Sequence, residues 1–285
     1  EKEYALKQLR AKEEQVFINS YFKCTYIIRV KEEKDAYRTR EAVRKAASGI
    51  KKLISANNHR ELVITSYQTY KGAIEDFTEG LLLSIYSFEK YKTKDDNGKK
   101  KSYPSRFLLF GDISGAEIKW LTDLTDAVYF VRDMINEPVN KLNASALASE
   151  VQSIGNKGGF KVEVLKKGKI KALKMGGLLA VNQGSVDPPV FCILEWKPEK
   201  SLNKKPVVLV GKGIVYDTGG LNLKPDNYMA QMKGDMAGAA TVEGVFYTIA
   251  KNNIPLHVIG LLPATDNRPG GNAYAQGDII TMHNG

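Results

Sequence analysis

The sequence predicts an α/β protein of two domains, a smaller amino-terminal α/β domain and a carboxy-terminal α/β domain, on three observations. Stretches with apolar residues three and four apart alternate with short runs rich in Val, Ile and Leu, the pattern expected of helices layered on a sheet. The chain has 285 residues, more than the ~100–150 of an ordinary single domain. A long apolar stripe near the middle is interrupted at Glu137-Pro138, where proline removes an amide hydrogen and restricts the residue before it. The expected divisions are residues 1–115 for the first domain, 116–136 for a linking helix and 137–285 for the second domain.

Taken in order, Asp35 to about Ala56 reads as a helix through Ala42, Val43, Ala46, Ile50, Leu53 and Ile54, stopping at Asn57-Asn58. Glu61 to Tyr67 has strand composition, and Gly72 to Tyr91 returns to helical spacing through Phe77, Leu81, Leu82, Ile85 and Phe88. A polar linker over 93–99 precedes a strand-like Phe107-Leu108-Leu109-Phe110. Ala116 to Asn136 carries one apolar stripe through Ile118, Leu121, Leu124, Val128, Val131 and Ile135. Beyond the proline, the pattern predicts a helix over Ser145–Ile154, strands over Lys161–Leu165 and Val190–Trp196, and a buried strand over Pro206–Val210. Such alternation argues for a largely parallel sheet.

Composition sets the class. Hydrophobic residues at 43% and charged residues at 26% suit a soluble globular chain rather than a disordered one. No run approaches the ~18 apolar residues of a membrane span, and Glu1-Lys2-Glu3 lacks the apolar core of a secretory signal, so a cytoplasmic protein without a membrane partner is expected. Cys24 and Cys192 are far apart and have no metal-ligand spacing, which argues against a disulfide framework or thiolate zinc cluster. Both are expected to be buried small hydrophobes. The chain begins at Glu1 without methionine and stops at Gly285 within an apparent strand and turn, so both ends are expected to be cut. Forty-two basic against 32 acidic residues give a formal charge of +10, but the runs Lys99-Lys100-Lys101, Lys166-Lys167-Gly168-Lys169 and Lys204-Lys205 read as solvated loops.

The chemistry concentrates after Val207-Val208-Leu209-Val210, in Gly211-Lys212-Gly213-Ile214-Val215-Tyr216-Asp217-Thr218-Gly219-Gly220 and on to Lys224-Pro225. Carboxyl ends of strands are where open α/β sheets bind ligands, which places Lys212 and Asp217 favourably. Met232-Lys233-Gly234-Asp235-Met236 follows, with Asp235 close to the start of a helix through Val242, Val245, Phe246 and Ile249. Lys212, Asp217, Lys224 and Asp235 thus fall in glycine-rich or apolar surroundings. Two aspartates offer hard oxygen ligands for a divalent metal, and a lysine beside them can ligate as a neutral amine or stay cationic and polarise a carbonyl. Two ordinary Lys–Asp ion pairs supporting the turns explain the same four residues. Neither the phosphate-loop nor the dinucleotide glycine spacing is present. His59, His257 and His283 are isolated, and each is expected to be a surface or packing residue.

The ordered run from Gly211 to Gly220, with Lys224-Pro225 and Met232 to Ala240, closely resembles the leucyl aminopeptidase (cytosol aminopeptidase) family. Asn136-Glu137-Pro138-Val139-Asn140 resembles the opening of its catalytic domain, and Asp266-Asn267-Arg268-Pro269-Gly270-Gly271 with Gly277-Asp278 resembles a following loop. Glu79-Gly80-Leu81 through Tyr91-Lys92 is similar to its amino-terminal domain, so the resemblance covers about residues 60–285. It implies a catalytic domain with a mixed sheet flanked by helices. It also implies a metal-dependent exopeptidase that removes leucine and other apolar residues from peptide amino termini.

Further implications are residue roles. Lys212, Asp217 and Asp235 become metal ligands, with Asp217 bridging two divalent ions, zinc or manganese, with magnesium or cobalt as further candidates. Lys224 becomes the catalytic lysine, steadying the oxyanion while a metal-bridged hydroxide attacks. Met232 lines the pocket for the first side chain. The family's Asn-Thr-Asp-Ala-Glu-Gly-Arg motif, which supplies further ligands and an arginine, is expected soon after Gly285, so this chain alone is expected to be inactive. Asp266 stands where the family often carries glutamate, with no expected effect on chemistry. A homohexamer acting on peptides is implied as the working form. The alternative from another class is a basic DNA-binding or architectural protein on the same fold, whose binding would weaken steeply with salt.

Overall fold

A computed structural model describes residues 2–11, 14–20, 23–67, 70–93 and 103–285. The chain divides into two compact units, Glu1–Leu121 and Thr122–Gly285. Most of the polar linker expected over 93–99 and the run Lys99-Lys100-Lys101 lie outside the described residues.

The first unit holds α1 (Lys2–Arg10), an antiparallel pair β1 (Gln15–Ser20) and β2 (Lys23–Ile28), α2 (Ala36–Gly49), α3 (Lys51–Ala56), β3 (Glu61–Thr65), α4 (Ala73–Ile85) and β4 (Arg106–Phe110). β3 and β4 pair in parallel, Glu61 opposite Arg106 through Thr65 opposite Phe110. Ala47, Ile50, Ile54, Ile64, Ile74 and Leu81 form the core. The single helix expected from Asp35 to Ala56 is two. Gly49 is a poor helix residue, and at Ile50 ψ opens to −2° while its side chain stays buried in the core. The helix expected to reach Tyr91 ends at Ile85, with Tyr86 extended. Lys51 Nζ donates to the Ser84 carbonyl, satisfying one of the last acceptors of α4 from another element.

α5 spans Gly115–Asn136, and the division between the units falls within it. The second unit continues with α6 (Ala144–Gly158), β5 (Lys161–Lys166), α7 (Lys167–Ala172), α8 (Gly176–Asn182), β6 (Val190–Trp196), β7 (Val207–Val210), β8 (Gly213–Asp217), α9 (Asp226–Met229), a 3-10 turn (Met232–Gly234), α10 (Ala237–Lys251) and β9 (Val258–Asn267). Asn143 caps α6 through its side chain, which accepts from Ala146 N at 2.9 Å, and Gly159 closes the helix in the left-handed region.

The sheet is mixed rather than largely parallel, in the order β5-β6-β9-β7 with β8 also paired to β9. β5, β6 and β9 run antiparallel in turn, while β7 and β8 lie parallel to β9. Cys192 and Leu194 of β6 and Leu262 and Ala264 of β9 bury against Leu147 and Val151 of α6 and Phe246 of α10. α7 and α8 pack on β5, β6 and β9. Lys166, Lys167 and Lys169 are exposed around α7. Cys192 is fully buried, whereas Cys24 is only half-buried, on a strand that among the described residues pairs with β1 alone.

The buried strand expected over Pro206–Val210 is exposed. β7 sits at the sheet edge, and Val207, Val208 and Val210 all face solvent. A run of valines reads the same whether it ends up central or at an edge. No helix among the described residues is long and apolar enough to cross a membrane.

Candidate metal centre

β7 and β8 are two halves of one path along β9, broken at Gly211-Lys212. Val210 lies opposite Leu261, Gly211 N still donates to Leu261 O at 3.0 Å, and pairing resumes with Gly213 opposite Ala264. At the break, Lys212 O turns away to accept from Ala239 N at 2.9 Å, in the first turn of α10. Space there is tight: a Cβ on Gly211 would lie 2.7 Å from Ala239 Cα, and one on Gly238 would lie 3.0 Å from Lys212 N. A second irregularity follows, since three steps from Ile214 to Asp217 face two from Thr265 to Asn267. Such a bulge re-aims the side chains beyond it, and Asp217 is the first of them.

Lys212 Nζ donates to Asp235 Oδ1 at 2.8 Å and lies 2.7 Å from Oδ2. The approach to Oδ2 lacks hydrogen-bond alignment, so this buried oxygen has no hydrogen-bond partner. Ion pairing and hydrogen bonding part company here, and Asp235 keeps lone-pair capacity to spare. Asp235 precedes Met236, the N-cap of α10, where a negative charge meets the positive end of the helix dipole. The Lys212 side chain is 57% exposed and that of Asp235 19%.

Lys224 Nζ donates to Asp217 Oδ2 at 2.7 Å and contacts Met232 Sδ at 3.0 Å. The loop between the partners closes through Lys224 N to Thr218 O at 2.9 Å. Asp217 Oδ1 accepts from Gly219 N at 2.9 Å and from Asn267 Nδ2 at 2.8 Å. Burial pushes the Asp217 carboxyl up, but the Lys224 ammonium, the Gly219 N–H and the Asn267 amide outweigh it and hold the group below the usual carboxylate range. Met232 and Asp235 flank the same 3-10 turn, so the two Lys–Asp pairs share it. Lys233 Nζ anchors that turn by donating to Asn136 O at 2.8 Å, at the carboxyl end of α5.

All five residues singled out in the sequence therefore meet here: Lys212 with Asp235, and Lys224 with Asp217 and Met232. The ion pairs anticipated as the simpler explanation are formed. Among the described residues, no group of three or more His, Cys, Asp and Glu gathers to hold a metal. The three histidines are engaged elsewhere, His59 with Tyr26 Oη at 2.7 Å, His257 with Glu195 Oε1 at 3.0 Å and His283 with Leu173 O at 2.9 Å. Asn267, Gly219 and Lys233 were not expected as site residues. Asn267 had one sequence signal, its place in the run Asp266-Asn267-Arg268-Pro269 that resembles a family loop, but its contact with Asp217 follows from strand register.

A mixed sheet layered with helices, with Asp217 closing a parallel strand and Asp235 beside a helix amino terminus, defines a class, the α/β proteins, in which the carboxyl edge of the sheet is the usual address for a ligand. Within that class the chain belongs to the cytosol aminopeptidase family, whose catalytic domain matches residues 129–285. It is 43% identical over 230 residues to a probable cytosol aminopeptidase of Chloroherpeton thalassium, covering 75% of this chain and 44% of that protein. With the corresponding protein of Chlorobaculum tepidum it is 51% identical over 154 residues, covering 54% of this chain and 30% of the relative. The chain thus spans less than half the length of these curated relatives.

Among solved structures, the cytosol aminopeptidase of Coxiella burnetii superposes with a TM-score of 0.73 at 26% identity, over 84% of this chain and 49% of that one. The bottromycin maturation enzyme BotP in complex with Mn superposes with a TM-score of 0.80 at 25% identity, over 96% of this chain and 59% of that one. The comparisons lend no support to the nucleic-acid-binding alternative.

Proposed function

We propose that this chain carries part of the centre of a metal-dependent aminopeptidase that releases apolar amino-terminal residues, leucine among them, from peptides. The observation that carries the reading is the pairing of two carboxylates with two lysines across one 3-10 turn, at strand ends of a chain that belongs to the cytosol aminopeptidase family. The donor set fits a divalent cation: Asp235 Oδ2 is buried and answered by the Lys212 ammonium alone at 2.7 Å, and carboxylate oxygens and an amine suit zinc, manganese, magnesium or cobalt. Asp235, Asp217 and Lys212 would hold the metal, Asp217 serving two ions. The binding of Mn by the structural neighbour supports manganese as one candidate. When bound, the cations supply a Lewis acid and a docking point for a free amino terminus.

The remaining work falls to the chain itself. Lys212 would hold a metal only as a neutral amine, having given its proton to solvent, and Asp235 would then be free of the ion pair. Lys224 stays cationic and provides positive charge where a scissile carbonyl oxygen becomes negative. Asp217 orients Lys224 before substrate arrives, and the Met232 thioether packs on the same ammonium, offering an apolar wall to the first side chain. With two carboxylates in the described centre, this chain by itself holds at most one cation, weakly, and does not turn over. The same reading takes the protein as cytoplasmic, in keeping with the names of its relatives, and as homohexameric, which rests on the resemblance above alone.

The test is leucyl-amide hydrolysis with each of the four metals. In the native protein, turnover should require metal and be lost on Lys224→Ala while Mn2+ binding persists. Absence of aminoacyl-amide hydrolysis under every metal condition overturns the enzymatic reading, and rapid turnover by the 285-residue chain alone overturns its inactivity.

A further inference from the structure

We infer that Asn267 is a positioning residue for the Asp217 carboxylate, occupying one of its oxygens so that the other is presented to a divalent cation. The inference rests on the reading of Asp217 as a metal ligand. Asp217 Oδ1 takes two uncharged donors, the Gly219 N–H at 2.9 Å and the Asn267 amide at 2.8 Å. A carboxylate oxygen has about two lone-pair sites, so Oδ1 is saturated. Oδ2 meets the Lys224 ammonium at 2.7 Å, a point charge on a flexible stem that can swing aside. The two oxygens are therefore unequal: one is held by donors that do not repel a cation, the other by a group that can be displaced.

Asn267 is itself firmly held. It is the last residue of β9, which pairs with β6, β7 and β8. Its carbonyl accepts from Thr218 N at 2.9 Å and from Thr218 Oγ1 at 2.8 Å, tying it to the residue after Asp217. The side chain lies close against Gly220, where a Cβ would stand 2.9 Å from Asn267 Oδ1, and Gly220 sits at φ +68° where only glycine is comfortable. The bulge in β8 brings Asp217 level with Asn267, so the orientation of the carboxylate is referenced to a central strand as well as to its own loop. Partners that orient a ligating carboxylate typically contribute 10–100-fold to metal affinity.

The experiment measures Mn2+ binding to the 285-residue chain by the loss of the free-ion electron paramagnetic resonance signal, alongside the thermal midpoint of each metal-free protein. Four proteins are compared: the unaltered chain, Asp217→Ala, Asn267→Ala and Thr218→Val. Asp217→Ala should abolish specific binding, and Asn267→Ala should weaken it by about 10–100-fold. Thr218→Val removes a hydroxyl bond to the Asn267 carbonyl but keeps the amide on Asp217, so it should lower the thermal midpoint and leave the affinity unchanged. Asn267→Ala with unaltered affinity overturns the inference, as does a loss in both variants that simply follows their thermal midpoints. If Asp217→Ala binds Mn2+ like the unaltered chain, Asp217 is no ligand and the inference falls with the reading beneath it.

Discussion

Two sets of ion-paired carboxylates, one in each unit, are built in opposite ways. In the first, Asp76 is 0% exposed and clasped by arginines: Arg40 Nε lies 3.1 and 3.0 Å from its two oxygens and Arg44 Nη2 lies 2.7 Å from Oδ1. Arg44 also reaches Glu79 at 2.6 Å, and Tyr70 Oη adds a donor at 3.4 Å. The Tyr70 phenol is pushed up to about 12, chiefly by burial and then by the Asp76 charge. In the second unit, Asp217 and Asp235 each face one lysine, 28% and 57% exposed. Guanidinium keeps its charge and its planar fork at any accessible pH, whereas an amine can lose a proton or move away. The arginine clasp thus joins α2 to α4 permanently, and the lysine pairs are exchangeable. The same ion-pair chemistry is structural in one place and available for binding in the other.

Substitutions sharpen this contrast. Asp76→Ala strands two guanidiniums against α4 and should cost about 3 kcal/mol by chemical denaturation, near the lower end for breaking a buried pair because both arginines reach solvent in part. Glu243 provides a third setting: it is fully buried in α10 with neither oxygen hydrogen-bonded, and burial, aided by Glu150, raises its carboxyl well above the ordinary value. The unfolded chain gives up that proton near pH 4.3 while the folded chain keeps it, so this group removes stability as pH rises from there to its folded value. Glu243→Leu should therefore raise the unfolding free energy by about 1–3 kcal/mol, with a larger gain at pH 8 than at pH 5; an equal gain at both would mean the carboxyl is not held neutral. Asp235→Asn should change stability by less than about 1 kcal/mol, its lysine being largely solvated, yet remove Mn2+ binding by the same resonance assay. Lys45→Ala, at an exposed i,i+4 pair with Glu41, should change the unfolding free energy by less than about 0.5 kcal/mol.

Much of this arrangement was legible before any coordinates. β6 matches its expected range, Val190–Trp196, because the run is bounded by Asp187-Pro188-Pro189 and Lys197-Pro198 and has one composition throughout. The five site residues converge because the chain order around Gly211 to Met236 constrains a short path. What stayed hidden depends on distant partners. The exposure of β7 follows from its place at the sheet edge, and the end of α4 follows partly from Lys51 reaching across. β8 was masked by its glycine-rich surroundings, although Ile214, Val215 and Tyr216 have strand composition. Which lysine meets which aspartate, and that Asn267 meets Asp217, are matters of register and bulge that no local pattern encodes.

The close approach between the break in the β7–β8 path and α10 has a consequence for how this segment tolerates change. Gly211 and Gly238 face backbone, and a Cβ on Gly213 would lie 2.6 Å from Pro263 O, while Lys212 between them points its side chain outward. A library randomised over Lys212 and its two flanking glycines and screened for soluble expression would keep both glycines and let Lys212 drift. Screened for metal uptake, the same library would keep all three. Comparing the two outcomes separates, codon by codon, what the architecture demands from what the chemistry demands.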